Sequence, residues 1–150
     1  MKIGIGSDHG GYRLKEDIKK YLEEKGIEYV DFGADSANIS VDYPKFGLAV
    51  AEAIVNKEIQ KGIVCCGTGI GISLAANKVP GIRCAVVSDT FSAKMSRAHN
   101  NANMLSLGER VLGRGLALDI VEAWLNEEFE GDRHQKRVDM LSEIEKKYNK

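Results

Sequence analysis

The sequence has no long hydrophobic run, no surplus of charge and little proline. No apolar stretch approaches the ~20 residues that a membrane helix needs. Twenty-one basic side chains against 22 acidic ones leave a net charge of −1, so no basic field invites nucleic acid or an anionic membrane. Two prolines among 150 residues rule out a proline-rich linker or extended repeat. The three cysteines, an odd number, fit neither a disulfide framework nor a zinc-ligand spacing. The chain runs from Met1 directly into a strand pattern without a charged and apolar leader. These absences lead us to expect a cytoplasmic protein with reduced thiols, folded as one domain over 1–150.

What is present alternates strand and helix signals. Strands are expected at Lys2–Ser7, Glu28–Phe32, Ile63–Cys66, Ile82–Val87 and Met104–Leu107. Between them fall helical stripes: Leu14, Ile18 and Leu22; Phe46, Val50 and Ala53; a helix over Thr90–Ala98; then Leu116, Ile120, Val121, Trp124 and Leu125. A last helix carries Val138, Leu141, Ile144 and Tyr148 on one side. Repeated βαβ units imply a mainly parallel five-stranded sheet with helices on both faces, a Rossmann-like three-layer α/β/α sandwich. Ligands then bind at the carboxyl ends of the strands. Asp8-His9, Cys66 to Gly71, His99-Asn100 and Arg110 are all expected to gather there.

The segment from Gly62 to Lys78 organises the rest. Ile63 to Cys66 is an unbroken apolar run, as in a strand covered on both faces. Gly67, Gly69 and Gly71 follow, then a helix. The loop lacks the third glycine of the dinucleotide fingerprint, where Ile72 stands, and the Gly-Lys-Ser/Thr of a P-loop. Nor does an arginine follow Cys65 or Cys66 at the spacing of a cysteine phosphatase. A nest of backbone N–H groups beside a thiol remains, an arrangement that binds anions and stabilises a thiolate. A plain tight turn also fits the glycine spacing, and Cys65 and Cys84 read as core thiols.

The last helix breaks local rules. Arg133, His134, Lys136 and Arg137 crowd its first turns, where the helix dipole disfavours cations, and Arg133 and Arg137 share a face. A phosphate between the two guanidiniums would offset the repulsion. A phosphate clamp, a thiol beside N–H donors, two histidines and an aspartate suit proton transfer next to the carbonyl of a phosphorylated small molecule. An aldose–ketose isomerisation needs such a base, an oxyanion site and a ring-opening acid.

Six motifs, Ser7-Asp8-His9-Gly10-Gly11, Asp42-Tyr43-Pro44, Cys66-Gly67-Thr68-Gly69-Ile70-Gly71, Ala75-Ala76-Asn77-Lys78, Arg97-Ala98-His99-Asn100-Asn101 and Arg133-His134-Gln135-Lys136-Arg137, resemble those of the type B ribose-5-phosphate isomerases, within the wider group of RpiB and LacAB sugar-phosphate isomerases. The resemblance spans essentially the whole chain. It implies interconversion of ribose 5-phosphate and ribulose 5-phosphate in the pentose phosphate pathway without metal or cofactor. Cys66 matches the proton-abstracting base, with Thr68 assisting, and His99 the group that assists ring opening. Asp8, His9, Gly67, Thr68, Gly69, Ile70, Gly71 and Asn100 match sugar-holding positions. Arg110, Arg133 and Arg137 match substrate-holding positions, chiefly for phosphate, and Tyr43 lines the pocket. The resemblance also implies homodimers, or dimers of dimers, whose sites draw on two subunits, with the C-terminal helix extending to a partner. Another branch uses a glutamate where Ile72 stands, so this chain looks like the cysteine branch. Two other readings stay open: an isomerase of a hexose phosphate such as allose or galactose 6-phosphate, and a non-catalytic sugar-phosphate sensor.

Overall fold

A computed structural model describes residues 1–149. Five strands, β1 (Lys2–Ser7), β2 (Glu28–Asp31), β3 (Lys61–Cys66), β4 (Cys84–Val86) and β5 (Met104–Gly108), form one sheet in the order β2-β1-β3-β5-β4. Every pairing is parallel. The helices are α1 (Tyr12–Glu24), α2 (Tyr43–Val55), α3 (Ile70–Ala76), α4 (Thr90–Ala98), α5 (Arg114–Asn126) and α6 (Arg133–Tyr148), with a single 3-10 turn at His9–Gly11. The expected α/β sandwich is therefore present. β2 and β4 are shorter than the sequence suggested, because both are edge strands with one pairing partner.

Strand alternation divides the core in two. Ile3 and Ile5 of β1, Ile63 and Cys65 of β3, and Leu105 and Leu107 of β5 face Leu14, Ile18 and Leu22 of α1 and Ile120, Val121 and Trp124 of α5. On the other face Val64, Cys66 and Met104 meet Phe46, Val50 and Ala53 of α2 and Ile72 and Ala76 of α3. The vicinal thiols thus point to opposite faces, since successive strand residues alternate. β1 turns Gly4 and Gly6 toward α2; a Cβ on Gly6 would stand 3.0 Å from Val50 Cγ2. Their bareness lets α2 lie close to the sheet.

Two stretches depart from the sequence reading. Leu116 does not join the buried face of α5 and is exposed. On α6 only His134 and Val138 are buried, and Leu141, Ile144 and Tyr148 remain exposed. Among the described residues no helix is long and apolar enough to cross a membrane.

Candidate active site

β3 ends at Cys66, whose thiol is almost wholly buried. Its sulfur accepts a hydrogen bond from the Gly69 N–H at 3.1 Å. Gly69 can aim that N–H backward because its φ is +80°, a conformation that suits glycine. The Gly69 carbonyl, turned the other way, accepts from the buried Ser106 hydroxyl of β5 at 2.5 Å. Thr68 is exposed beside the sulfur-bearing turn; its Oγ1 accepts from Ile70 N–H at 3.2 Å, leaving its own O–H free to donate.

The other thiols differ. Burial pushes Cys65 well above the ordinary thiol range, with Cys66 and Glu109 adding to the effect. Cys84 is pushed up to about 12 by burial.

Around Cys66 stand the ends of β1 and β5. Asp8, buried at the tip of β1, accepts from the Gly11 N–H at 3.0 Å and fixes the turn that carries His9. His9 Nδ1 accepts from the Val41 N–H at 3.1 Å. In the neutral ring the proton therefore sits on Nε2, and His9 presents a donor. Arg110 follows β5. Its guanidinium lies over the glycine loop: a Cβ on Gly67 would be 3.3 Å from Nη1, and one on Gly10 would be 3.7 Å from Nη2. The Tyr43 ring lies over Gly71, where a Cβ would sit 2.8 Å from it. Glu109 Oε1 accepts from the Leu14 N–H at 2.8 Å, so the Arg110 turn is tied to the first turn of α1, which lacks a side-chain cap of its own.

Asp8, His9, Tyr43, Gly67, Thr68, Gly69, Ile70, Gly71 and Arg110 thus belong to one end of the sheet. His99 and Asn100 do not join them, against the sequence expectation. α4 leaves the carboxyl end of β4 and runs back to the opposite edge, so the residues that close it emerge at the amino ends of the strands. Asn103, four residues after His99, accepts through its carbonyl from the N–H of Gly62, near the start of β3. The register pairs Gly62 with Met104 and Cys66 with Gly108. Those two pairs are about 13 Å apart along the strands, and His99 lies beyond the nearer one.

Arg133 and Arg137 go with His99. Its ring stacks on that of His134, the second residue of α6, with centroids 4.1 Å apart and planes 11° from parallel. Glu130 Oε1 lies 3.5 Å from His134 Nε2 and 4.0 Å from His99 Nε2. Among the described residues Arg110, Arg133 and Arg137 form no ion pair, so all three guanidiniums are open to an anion. The Asn100-Asn101 turn is held by Arg83, whose Nε donates to the Asn100 carbonyl at 3.0 Å, and by Arg97, whose Nη1 donates to Asn101 Oδ1 at 3.0 Å.

His99, Glu130 and His134 bring three donor atoms within 4.8 Å of one another. Stacked imidazoles, however, send their lone pairs side by side; they do not meet at one point about 2.0–2.1 Å from both nitrogens. The trio suits proton handling better than a metal. Removal from water and the nearby His99, Arg133 and Arg137 hold His134 below the ordinary histidine value, against Glu130. Glu130 was not legible as a site residue: one acid among the run from Glu127 to Glu130 carries no mark except its place four residues before His134.

One chain therefore carries two separate clusters of the expected site residues. The first holds a thiol, N–H donors and a cation; the second holds an imidazole pair and two more cations.

The chain matches the ribose/galactose isomerase family over residues 3–141. It is 47% identical over 148 residues to ribose-5-phosphate isomerase B of Escherichia coli strain K12, covering 99% of both chains. Ribose-5-phosphate isomerase B of Clostridium thermocellum superposes with a TM-score of 0.98 at 61% identity, covering 99% of this chain and 100% of that one. The Mycoplasma genitalium enzyme, solved with bound ribulose-5-phosphate, superposes with a TM-score of 0.92 at 40% identity, covering 97% of this chain and 96% of that one. Matched over nearly its whole length in sequence and in fold, the chain belongs to the ribose/galactose isomerase family.

Proposed function

We propose that this protein interconverts ribose 5-phosphate and ribulose 5-phosphate, at sites completed by a second copy of the chain. The observation that carries the reading is the Cys66 sulfur, held by the Gly69 N–H at the mouth of a glycine loop with an unpaired Arg110 beside it. The likeness to an isomerase solved with ribulose-5-phosphate supports the choice of substrate.

The chemistry follows from the two halves. Ribose 5-phosphate is a furanose, so the C1–O4 bond must break first. A proton leaves the C1 hydroxyl and one arrives at O4, a transfer that suits His99. Cys66 as thiolate then takes the proton from C2. Charge moves onto O1, where N–H groups of Gly67 to Gly71 stabilise the enediolate, and the Thr68 hydroxyl is placed to donate to a sugar oxygen. A proton moves from O2 to O1, and return of the abstracted proton from Cys66 to C1 gives the ketose with C2 as its carbonyl. Asp8, His9 and Asn100 hold sugar oxygens, Tyr43 closes one side, and Arg110, Arg133 and Arg137 hold the phosphate.

Cys66 and His99 of one chain cannot serve one sugar, because they stand at opposite ends of the sheet. A homodimer, alone or paired into a tetramer, brings the second half of one copy to the first half of the other. Leu141, Ile144 and Tyr148, apolar yet exposed on α6, suit that contact. A base that works as a free thiol also suits the reducing cytoplasm.

Turnover measured on ribose 5-phosphate, allose 6-phosphate and galactose 6-phosphate tests the substrate. Preference for the pentose is expected, and preference for a hexose sinks the reading. The Cys66→Ala variant should lose about 10²–10⁴-fold in kcat while still binding substrate. A variant with near-normal turnover removes Cys66 from the role of base.

A further inference from the structure

We infer that Glu130 and His134 are positioning residues for His99, a stacked and ion-paired support that holds its imidazole for the ring-opening step. The inference rests on the isomerase reading and on His99 as its ring-opening group, and extends it to two residues with no role there.

The geometry is specific. His99 closes α4, where the helix ends and nothing in the backbone fixes its ring. Its side chain is 38% exposed, whereas that of His134 is 5% exposed. The inner ring lies against the outer one at 4.1 Å. It stays put because His134 is built into the first turn of α6, its N–H donating to the Gly131 carbonyl at 2.9 Å. Glu130 is anchored to His99's own helix: its N–H donates to the Ala98 carbonyl at 3.0 Å. The carboxylate thereby reaches the Nε2 edge of both rings. The buried His134 Nε2 has no hydrogen-bond partner among the described residues, and the Glu130 carboxylate lies 3.5 Å from it.

The arrangement divides the work. Two imidazoles stacked this closely cannot both carry a proton without repulsion, and Arg133 and Arg137 add further positive charge. Burial and these neighbouring charges disfavour a charge on the inner ring, His134. Glu130 offsets the charge of a protonated His99 from the side, leaving the rest of its ring free to meet the sugar.

Substrate chemistry isolates the step. Ribulose 5-phosphate cannot form a furanose, because its O5 carries the phosphate. Exchange of its C1 hydrogen with solvent therefore needs the base and the oxyanion site but no ring opening. Glu130→Gln and His134→Phe are compared with the unaltered chain in two assays: kcat on ribose 5-phosphate, and loss of deuterium from C1 of deuterated ribulose 5-phosphate. The first should fall about tenfold in each variant, with exchange retained within about twofold. Parallel loss in both assays, or no change in either, overturns the inference. Glu130 is exposed, so its variant folds even if His134→Phe does not. An unaltered chain that fails to isomerise ribose 5-phosphate overturns the proposed function itself, and that control is read first.

Discussion

Cys66 and His99 stand at opposite ends of one parallel sheet. Cys66 closes β3 at the carboxyl edge, paired with Gly108, and His99 closes α4 beyond the amino edge, where Gly62 pairs with Met104. A site that needs both must borrow one of them.

Complementation between chains tests that need directly. Cys66→Ala and His99→Asn chains should each be inactive alone. Mixed after unfolding and refolding, half of the dimers pair unlike chains, and each such dimer has one intact site of two. About a quarter of the unaltered activity should return. No recovery, with mixed dimers present by native mass measurement, shows that each site is built within one chain.

The three thiols should react in a fixed order. The Cys66 sulfur lies against the glycine loop, held by the Gly69 N–H, whereas burial pushes Cys65 upward in pKa and holds Cys84 at about 12. Limiting iodoacetamide near neutral pH should label Cys66 first, in step with loss of turnover, and ribose 5-phosphate should protect it. Peptide mass mapping reads the order. Labelling of Cys84 before Cys66, with turnover lost, removes the basis for this order.

Arg137, on the second turn of α6, is exposed and forms no ion pair among the described residues. In the proposed reaction its guanidinium meets the phosphate, which does not change between substrate and product. Arg137→Ala should raise KM about tenfold to a hundredfold, the worth of a charge-assisted hydrogen bond, with a smaller effect on kcat. An unchanged KM puts the phosphate elsewhere.

Stability should depend on the fully buried Lys15, whose ammonium donates to Asp31 Oδ1 at 2.8 Å and to the Ala34 carbonyl at 2.5 Å. Asp31→Ala strands that charge and should cost about 3–5 kcal/mol by urea unfolding near neutral pH. Burial alone would raise the Asp31 carboxyl, but hydrogen bonds from Lys15, Lys19 and the Gly33 N–H outweigh it and hold the group below its ordinary 3.8. A depressed carboxyl contributes its stability above the unfolded value and loses it as pH falls. The gap between the unaltered chain and Asp31→Ala should therefore be full at pH 6 and narrow progressively below pH 3.8. A gap that does not change down to pH 3 shows that the carboxylate charge is not what holds Lys15.

Local pattern alone determined much of this protein. Apolar runs such as Ile63 to Cys66, alternating with helical stripes such as Leu14, Ile18 and Leu22, specify a parallel α/β sheet, because each periodicity has one way to bury its apolar side. Chain order also places Cys66, the glycine loop, Asp8-His9 and Arg110 together, since each directly follows a strand of that sheet. The same rule misplaced His99 and Asn100. They follow a helix, and a helix returning from the carboxyl edge delivers its last residue to the amino edge. Only the tertiary structure decided which ring stacks on His99, which carboxylate meets it, and that Ser106 holds the Gly69 carbonyl. These pairs join residues 31 to 37 positions apart through space, or depend on a side-chain direction that no local periodicity encodes. The separation of Cys66 from His99 has the same origin, because the ends of a sheet are defined only once its strands are aligned.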